Sequence, residues 1–163
     1  MQYNKVYAGI GSRKTPSDVL DQMWQLAHEL KTEGWLLRSG GAEGADENFE
    51  LGAQNCKEVF RADGIIPDKA FEIAEELHPA WHVCSPYAKR LLARNMQQVL
   101  GQNLDSPVDF VVCWTSDGCE SHETRTRKTG GTGQAISLAS LLDIPVFNLA
   151  NEERLNRVRK YIE

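Results

Sequence analysis

Residues Arg38-Ser39-Gly40-Gly41-Ala42-Glu43-Gly44-Ala45-Asp46 join an apolar run to an amphipathic stretch, and five of these nine residues are glycine or alanine. Small side chains leave backbone NH groups uncovered, so an anion can approach the start of the helix that follows. That is phosphate-binding chemistry. The stretch matches neither the Walker pattern nor the dinucleotide pattern GxGxxG. Two further clusters share its character: Gly9-Ile10-Gly11-Ser12-Arg13, and Thr129-Gly130-Gly131-Thr132-Gly133-Gln134. Ser12, Ser39 and Thr132 offer hydroxyl donors to phosphate oxygens. Arg13 offers a planar guanidinium fork, as does Arg94 with Asn95 beside it. Asp46 suits either a ribose hydroxyl or an N-terminal helix cap, and Arg94 is otherwise a surface helix charge.

Acid-base candidates are few. Asp46, Glu120 and Glu123 are the carboxylates placed near these clusters, with His122 between the last two. The segment Thr115 to Lys128 reads as a lid over a crevice or as a solvated loop. Within it, Arg125, Arg127 and Lys128 form a concentrated basic stretch able to reach a polyphosphate or a nucleic-acid backbone. Trp81 to Tyr87 carries rings that can stack on a base, or seal a core edge or a subunit contact. Cys113, Cys119, His122 and His82 are of zinc-ligating type but lack paired spacing, so neither a metal nor a cofactor is expected.

These residues need elements to position them, and the chain alternates strand and helix. Strands are predicted at Lys5 to Ile10, Trp35 to Leu37, Glu58 to Phe60, Asp109 to Trp114 and Ile144 to Phe147. Helices are predicted from Thr15-Pro16 to about Glu33, Asp46 to about Asn55, Asp68 to Leu77, Pro86 to Gly101, Thr132 to Leu142, and from Asn151 onward. Such alternation requires right-handed crossovers. It therefore implies an α/β, Rossmann-like three-layer fold with a mostly parallel sheet and helices on both faces. Ligands of such sheets bind beyond the carboxyl ends of the strands, where the glycine clusters fall.

A chain of 163 residues with 41% hydrophobic and 25% charged residues is expected to form a single domain, residues 1–163, with a real core. The 18 Lys+Arg against 23 Asp+Glu argue against whole-surface nucleic-acid binding but allow a local basic patch. Residues 1 to 30 lack a signal-peptide pattern and the apolar runs are short, so no membrane association and a cytoplasmic location are expected. Four cysteines without a CxxC pair fit a reducing compartment.

The three glycine clusters together with Arg94-Asn95 resemble the SLOG superfamily of Rossmann-type proteins, over roughly residues 5 to 149. This superfamily includes DprA (Smf) proteins, LOG phosphoribohydrolases and molybdenum-cofactor carriers. The Ser-Gly-Gly-Ala-x-Gly-Ala-Asp wording is similar to DprA-like members, which implies a nucleotide or single-stranded DNA as ligand. The Gly-Gly-Thr-Gly cluster is similar to LOG enzymes, which hydrolyse the N-glycosidic bond of nucleoside monophosphates. Their essential Glu, aligned on Gly131-Thr132, falls on Ala135, which removes the carboxylate that would stabilise an oxocarbenium-like transition state. The resemblance also implies a homodimer or higher homo-oligomer. The expected ligand-binding set is Gly9, Gly11, Ser12 and Arg13; Ser39, Gly40, Gly41, Ala42, Gly44 and Asp46; Arg94 and Asn95; and Gly130, Gly131, Thr132, Gly133 and Gln134.

Overall fold

Alternating side chains make two-faced strands, and the computed structural model, which describes residues 4–163, uses both faces. Strands β1 (Val6–Gly9), β2 (Leu36–Ser39), β3 (Lys57–Val59), β4 (Phe110–Cys113) and β5 (Val146–Asn148) form a parallel sheet in the order β3-β2-β1-β4-β5. Tyr7, Leu37, Phe110, Val112 and Phe147 pack on one side, where α1 (Ser17–Thr32), α2 (Ala45–Ala53) and α6 (Leu155–Ile162) supply Met23, Leu26, Phe49 and Val158. Ala8, Val111, Cys113 and Val146 pack on the other, under α3 (Asp68–Leu77), α4 (Pro86–Leu100) and α5 (Gly133–Leu141). This is the three-layer α/β architecture expected from the alternation. Burying side chains such as Met23, Phe49 or Met96 completely contributes roughly 1.5–3 kcal/mol each.

The helices begin where the chain chemistry allows. Pro16 and Pro67 precede α1 and α3 with extended backbone, while Pro86 occupies the first turn of α4 behind Ser85, whose Oγ accepts from the Ala88 amide at 3.1 Å. Differences from the sequence pattern are local. The last helix starts at Leu155 rather than Asn151, because Glu153 and Arg154 adopt positive φ values of 67° and 36°. A 3-10 turn over Arg127–Thr132 precedes α5, and Gly130, at a positive φ of 72°, kinks the chain within that turn.

With this strand order, the chain leaves β1 in one direction for β2 and β3, and in the other for β4 and β5. The crevice between the loops after β1 and β4 is therefore the topological switch point. Among the described residues, no helix is long and apolar enough to cross a membrane.

Candidate functional site

At that switch point lies a cavity of about 830 Å³. A smaller hollow of about 450 Å³ between α1 and α6 has no glycine turn on its wall, and its Arg154 and Arg159 are paired with Asp18 and Glu29. The larger cavity is where the loops converge.

After β1, Gly11, Ser12, Arg13 and Lys14 form its first wall. Ser12 closes this turn on itself: its Oγ accepts from the Lys14 amide at 3.0 Å, and its carbonyl accepts from Thr15 Oγ1 at 2.5 Å. Its hydroxyl proton stays available to an acceptor in the cavity.

The turn after β2 divides between scaffold and wall. Glu50 Oε2 accepts from Ser39 Oγ at 2.8 Å and from the Gly41 amide at 3.0 Å, which fastens the turn to α2. Ala42 and Asp46 face the cavity. Asp46 Oδ2 accepts from the Ala42 amide at 3.2 Å, so the carboxylate braces the turn from the first residues of α2. Burial pushes its pKa up to about 6, against the lowering effects of Arg94 and the Ala42 N–H. A perturbed carboxyl in a cleft is the kind of group that marks functional sites.

Helix α4 provides the opposite wall with apolar Tyr87, Ala88, Leu91 and Leu92 and polar Arg94, Asn95 and Gln98. Arg94 is only 6% exposed; its Nη1 donates to the carbonyls of Gly40 and Phe60, and its Nε to Asn95 Oδ1 at 3.1 Å. Asn95 Nδ2 in turn donates to Gly131 at 3.2 Å, linking this wall to the third glycine turn. Burial lowers the pKa of Arg94, while Asp46, Tyr87 and Glu50 favour its charged form.

The third turn contributes Arg127, Lys128, Gly130, Gly131 and Thr132. Asp117 organises it, accepting from Thr115 Oγ1 (2.8 Å), Thr126 Oγ1 (3.0 Å), Thr129 Oγ1 (2.6 Å) and the Cys119 amide (3.3 Å). Burial works upward on its pKa, but these hydrogen bonds outweigh it and hold the carboxylate below its ordinary value. The segment read as a lid is thus laced to itself, and it is tied to the body where Glu120 accepts from the Asn148 amide at 2.8 Å and the His122 amide donates to Ser140 Oγ at 3.1 Å. Its Arg125 is not part of a free basic stretch, since it donates to Leu77 O, Ser137 Oγ and Gln134 Oε1 at 3.0 to 3.2 Å.

Of the residues expected at the ligand, Gly11, Ser12, Arg13, Ala42 and Asp46 meet Arg94, Asn95, Gly130, Gly131 and Thr132 around one space. The others stand behind it. Gly9 faces Phe49, where a Cβ would lie 2.7 Å from the ring, and Gly40 is closed over by Arg94. Ser39 and Gly41 serve Glu50, and Gly44 lies against the backbone of Ser12 and Arg13. Gly133 packs on Arg125, and Gln134 is fully buried, donating to Ala74 O at 2.6 Å.

The carboxylates Glu120 and Glu123 lie away from the cavity. Glu120 holds Arg157 in a two-pronged pair, with Nη2 to Oε1 at 2.9 Å, and accepts from the Asn148 amide at 2.8 Å. Glu123 is exposed on the surface. Cys113 and Cys119 are buried, His82 is exposed, and His122 Nδ1 is 3.0 Å from Ser137 Oγ.

The lining residues Lys14, His78 and Gln98 were not anticipated, while Cys84 and Ser116 belong to the stacking segment and the lid segment read from the sequence. Cys84 Sγ lies 4.0 Å from both ring nitrogens of His78, but His78 Nδ1 accepts from the Ala80 amide at 3.0 Å, which puts the ring proton on Nε2. Burial, and then Arg125, lower the His78 pKa. A neutral ring in that tautomer presents a donor to the thiol and is no base for it. The spacing Tyr87, Leu91, Arg94, Gln98 along one face of α4 was the signal that could have found Gln98.

No family model matches the chain, and no curated protein matches it in sequence. Among solved structures it is similar to DNA processing protein A from Helicobacter pylori, described for its unique single-stranded DNA binding mode. The TM-score is 0.62 at 20% identity, over 98% of this chain and 73% of that one. The likeness is one of fold. The chain has a Rossmann-like α/β fold.

Proposed function

We propose that the protein binds a nucleotide or a related phosphorylated small ligand in the cavity at the β1/β4 switch point. The observation that carries this reading is the convergence of three separate loops and α4 on one space of about 830 Å³, within the range of small-molecule sites. Arg13, Lys14, Arg127 and Lys128 are exposed at its edge and supply positive charge for phosphates. The N-termini of α2 and α5, where Asp46 and the N-cap Thr132 line the cavity, add the positive ends of their helix dipoles. Tyr87, Leu91 and Leu92 offer apolar surface to a base or a sugar.

Binding is favoured over hydrolysis. Glu120 is held by Arg157 away from the cavity, and the position of the LOG-type Glu is Ala135, fully buried in the core. Asp46 is the cavity's own carboxyl, and it is occupied in bracing the Ala42 turn. Titration calorimetry with nucleoside mono-, di- and triphosphates tests the proposal: saturable binding weakened by Arg13→Ala or Lys128→Ala is expected, and heats no larger than dilution for every nucleotide refute it.

The exposed basic edge and the fold shared with a single-stranded DNA-binding protein favour a second reading, an oligonucleotide laid across the same mouth. A steep loss of oligonucleotide affinity with rising salt, at nucleotide affinities below detection, selects it.

A further inference from the structure

Gln98 is 1% exposed and lines the cavity, yet its Nε2 has no hydrogen-bond partner. The adjacent Gln97, equally buried, donates to the carbonyls of Ile65 at 3.3 Å and Gln102 at 3.4 Å. Buried polar groups are satisfied in the great majority of cases, so a buried amide without a partner, on a residue that lines a cavity, calls for an acceptor from outside the chain. Its place in the fold says which part of a ligand that is. The exposed cations and glycine turns lie at the mouth, whereas Gln98 sits one turn of α4 beyond Arg94. Arg94 reaches Gly40 at the carboxyl end of β2, and Gly101 packs on Arg38 within β2, so this direction along α4 leads down beside the sheet, away from the mouth. A phosphate bound by the cations stays at the mouth. What reaches Gln98 is the uncharged end of the ligand.

Resting on the nucleotide reading above, we propose that Gln98 reads the base, and that the base is adenine. A carboxamide presents one donor beside one acceptor, the pairing by which Asn and Gln recognise adenine through its exocyclic amine and the neighbouring ring nitrogen. Apolar Leu91 and Leu92, on the same helix, flank the path from the mouth.

The test compares AMP, GMP, CMP, UMP and ribose 5-phosphate by titration calorimetry on the wild-type chain and on Gln98→Met, which keeps the length of the side chain and removes the amide. AMP is expected to bind about tenfold or more tighter than ribose 5-phosphate and than the other monophosphates. Gln98→Met brings AMP to the level of ribose 5-phosphate and leaves ribose 5-phosphate itself unchanged. Because Nε2 has no bond to lose, the ligand-free variant melts at or above the wild-type temperature. Equal binding of AMP and ribose 5-phosphate, or an AMP preference that survives Gln98→Met, overturns the base-reading role while the phosphate site stands. A preference for another base overturns the adenine assignment. A ligand-free variant that melts below wild type shows that the amide carries structure, and the proposal falls. If not even ribose 5-phosphate binds, the nucleotide reading fails first and this one with it.

Discussion

Arg94 on α4 donates from one nitrogen to two carbonyls on different loops, Gly40 after β2 and Phe60 after β3, the latter at 3.2 Å. The guanidinium takes the space a side chain at position 40 would need, since a Cβ there would lie 2.7 Å from Arg94 Cζ. One residue thus ties the α4 wall to the carboxyl edge of the sheet. Its Nη2 makes no hydrogen bond among the described residues, so the same group can serve a ligand while it holds the fold.

Arg94→Met leaves both carbonyls without this donor in a buried place. It is expected to lower stability by about 2 to 4 kcal/mol in urea denaturation, an unsatisfied-acceptor cost added to a lost charge. Arg13→Ala, at the same cavity but exposed, should stay within about 0.5 kcal/mol of wild type. Equal stabilities for the two variants would refute the tethering role of Arg94.

Asp46 sets a pH dependence of known sign. Its pKa rises from 3.8 to about 6 on folding, chiefly through burial, so the folded chain binds more protons than the unfolded one between those values. Stability contributed by this group therefore falls as pH rises across that window, and at pH 7 the buried charge costs on the order of 3 kcal/mol. Asp46→Asn, which keeps an oxygen for the Ala42 amide, should be more stable than wild type at pH 7, with the difference fading toward pH 4. Parallel stability curves for the two proteins from pH 4 to 7 would contradict this.

Glu120 behaves in the opposite sense. Burial alone would raise its pKa, but Arg157, the Asn148 amide and the Asn151 side chain together hold it below the ordinary 4.5. The stability it contributes is present above that value and is lost as pH falls through the lower folded pKa. Glu120→Gln breaks the two-pronged pair and should cost about 1 to 2 kcal/mol at neutral pH, with ligand affinity unchanged. A drop in ligand affinity with no drop in stability would return Glu120 to the site.

The strands were legible because they are short apolar runs bounded by turn residues, the pattern of strands covered on both faces: Tyr7 and Ala8, or Val111 and Val112, pack into opposite cores. The glycine turns were legible as a group, since their order after β1, after β2 and before α5 places them at one edge of a parallel sheet. Which glycines face the cavity was not, because that depends on close packing. Gly9 yields to Phe49 and Gly40 to Arg94, contacts between residues 40 and 54 positions apart. Asp117 escaped notice for a similar reason. Its role rests on three hydroxyls, and Thr126 and Thr129 reach it only after the loop has folded back.

Ala135 gives the sharpest test of whether hydrolytic chemistry can be installed by restoring a motif. The residue is fully buried in the core formed by α3, α4, α5 and the sheet. A glutamate placed there has no room and no cation in place to receive it: Arg125, one candidate nearby, already donates to Leu77, Ser137 and Gln134. Burying an unpaired carboxylate costs several kcal/mol even after the structure relaxes. Ala135→Glu is therefore expected to lose about 3 kcal/mol or more, or to stay unfolded at 25 °C, and to release no free base from AMP by chromatography. A folded Ala135→Glu chain that cleaves AMP would show that α5 can present a carboxylate to the cavity, and that the distance from binder to enzyme is one substitution.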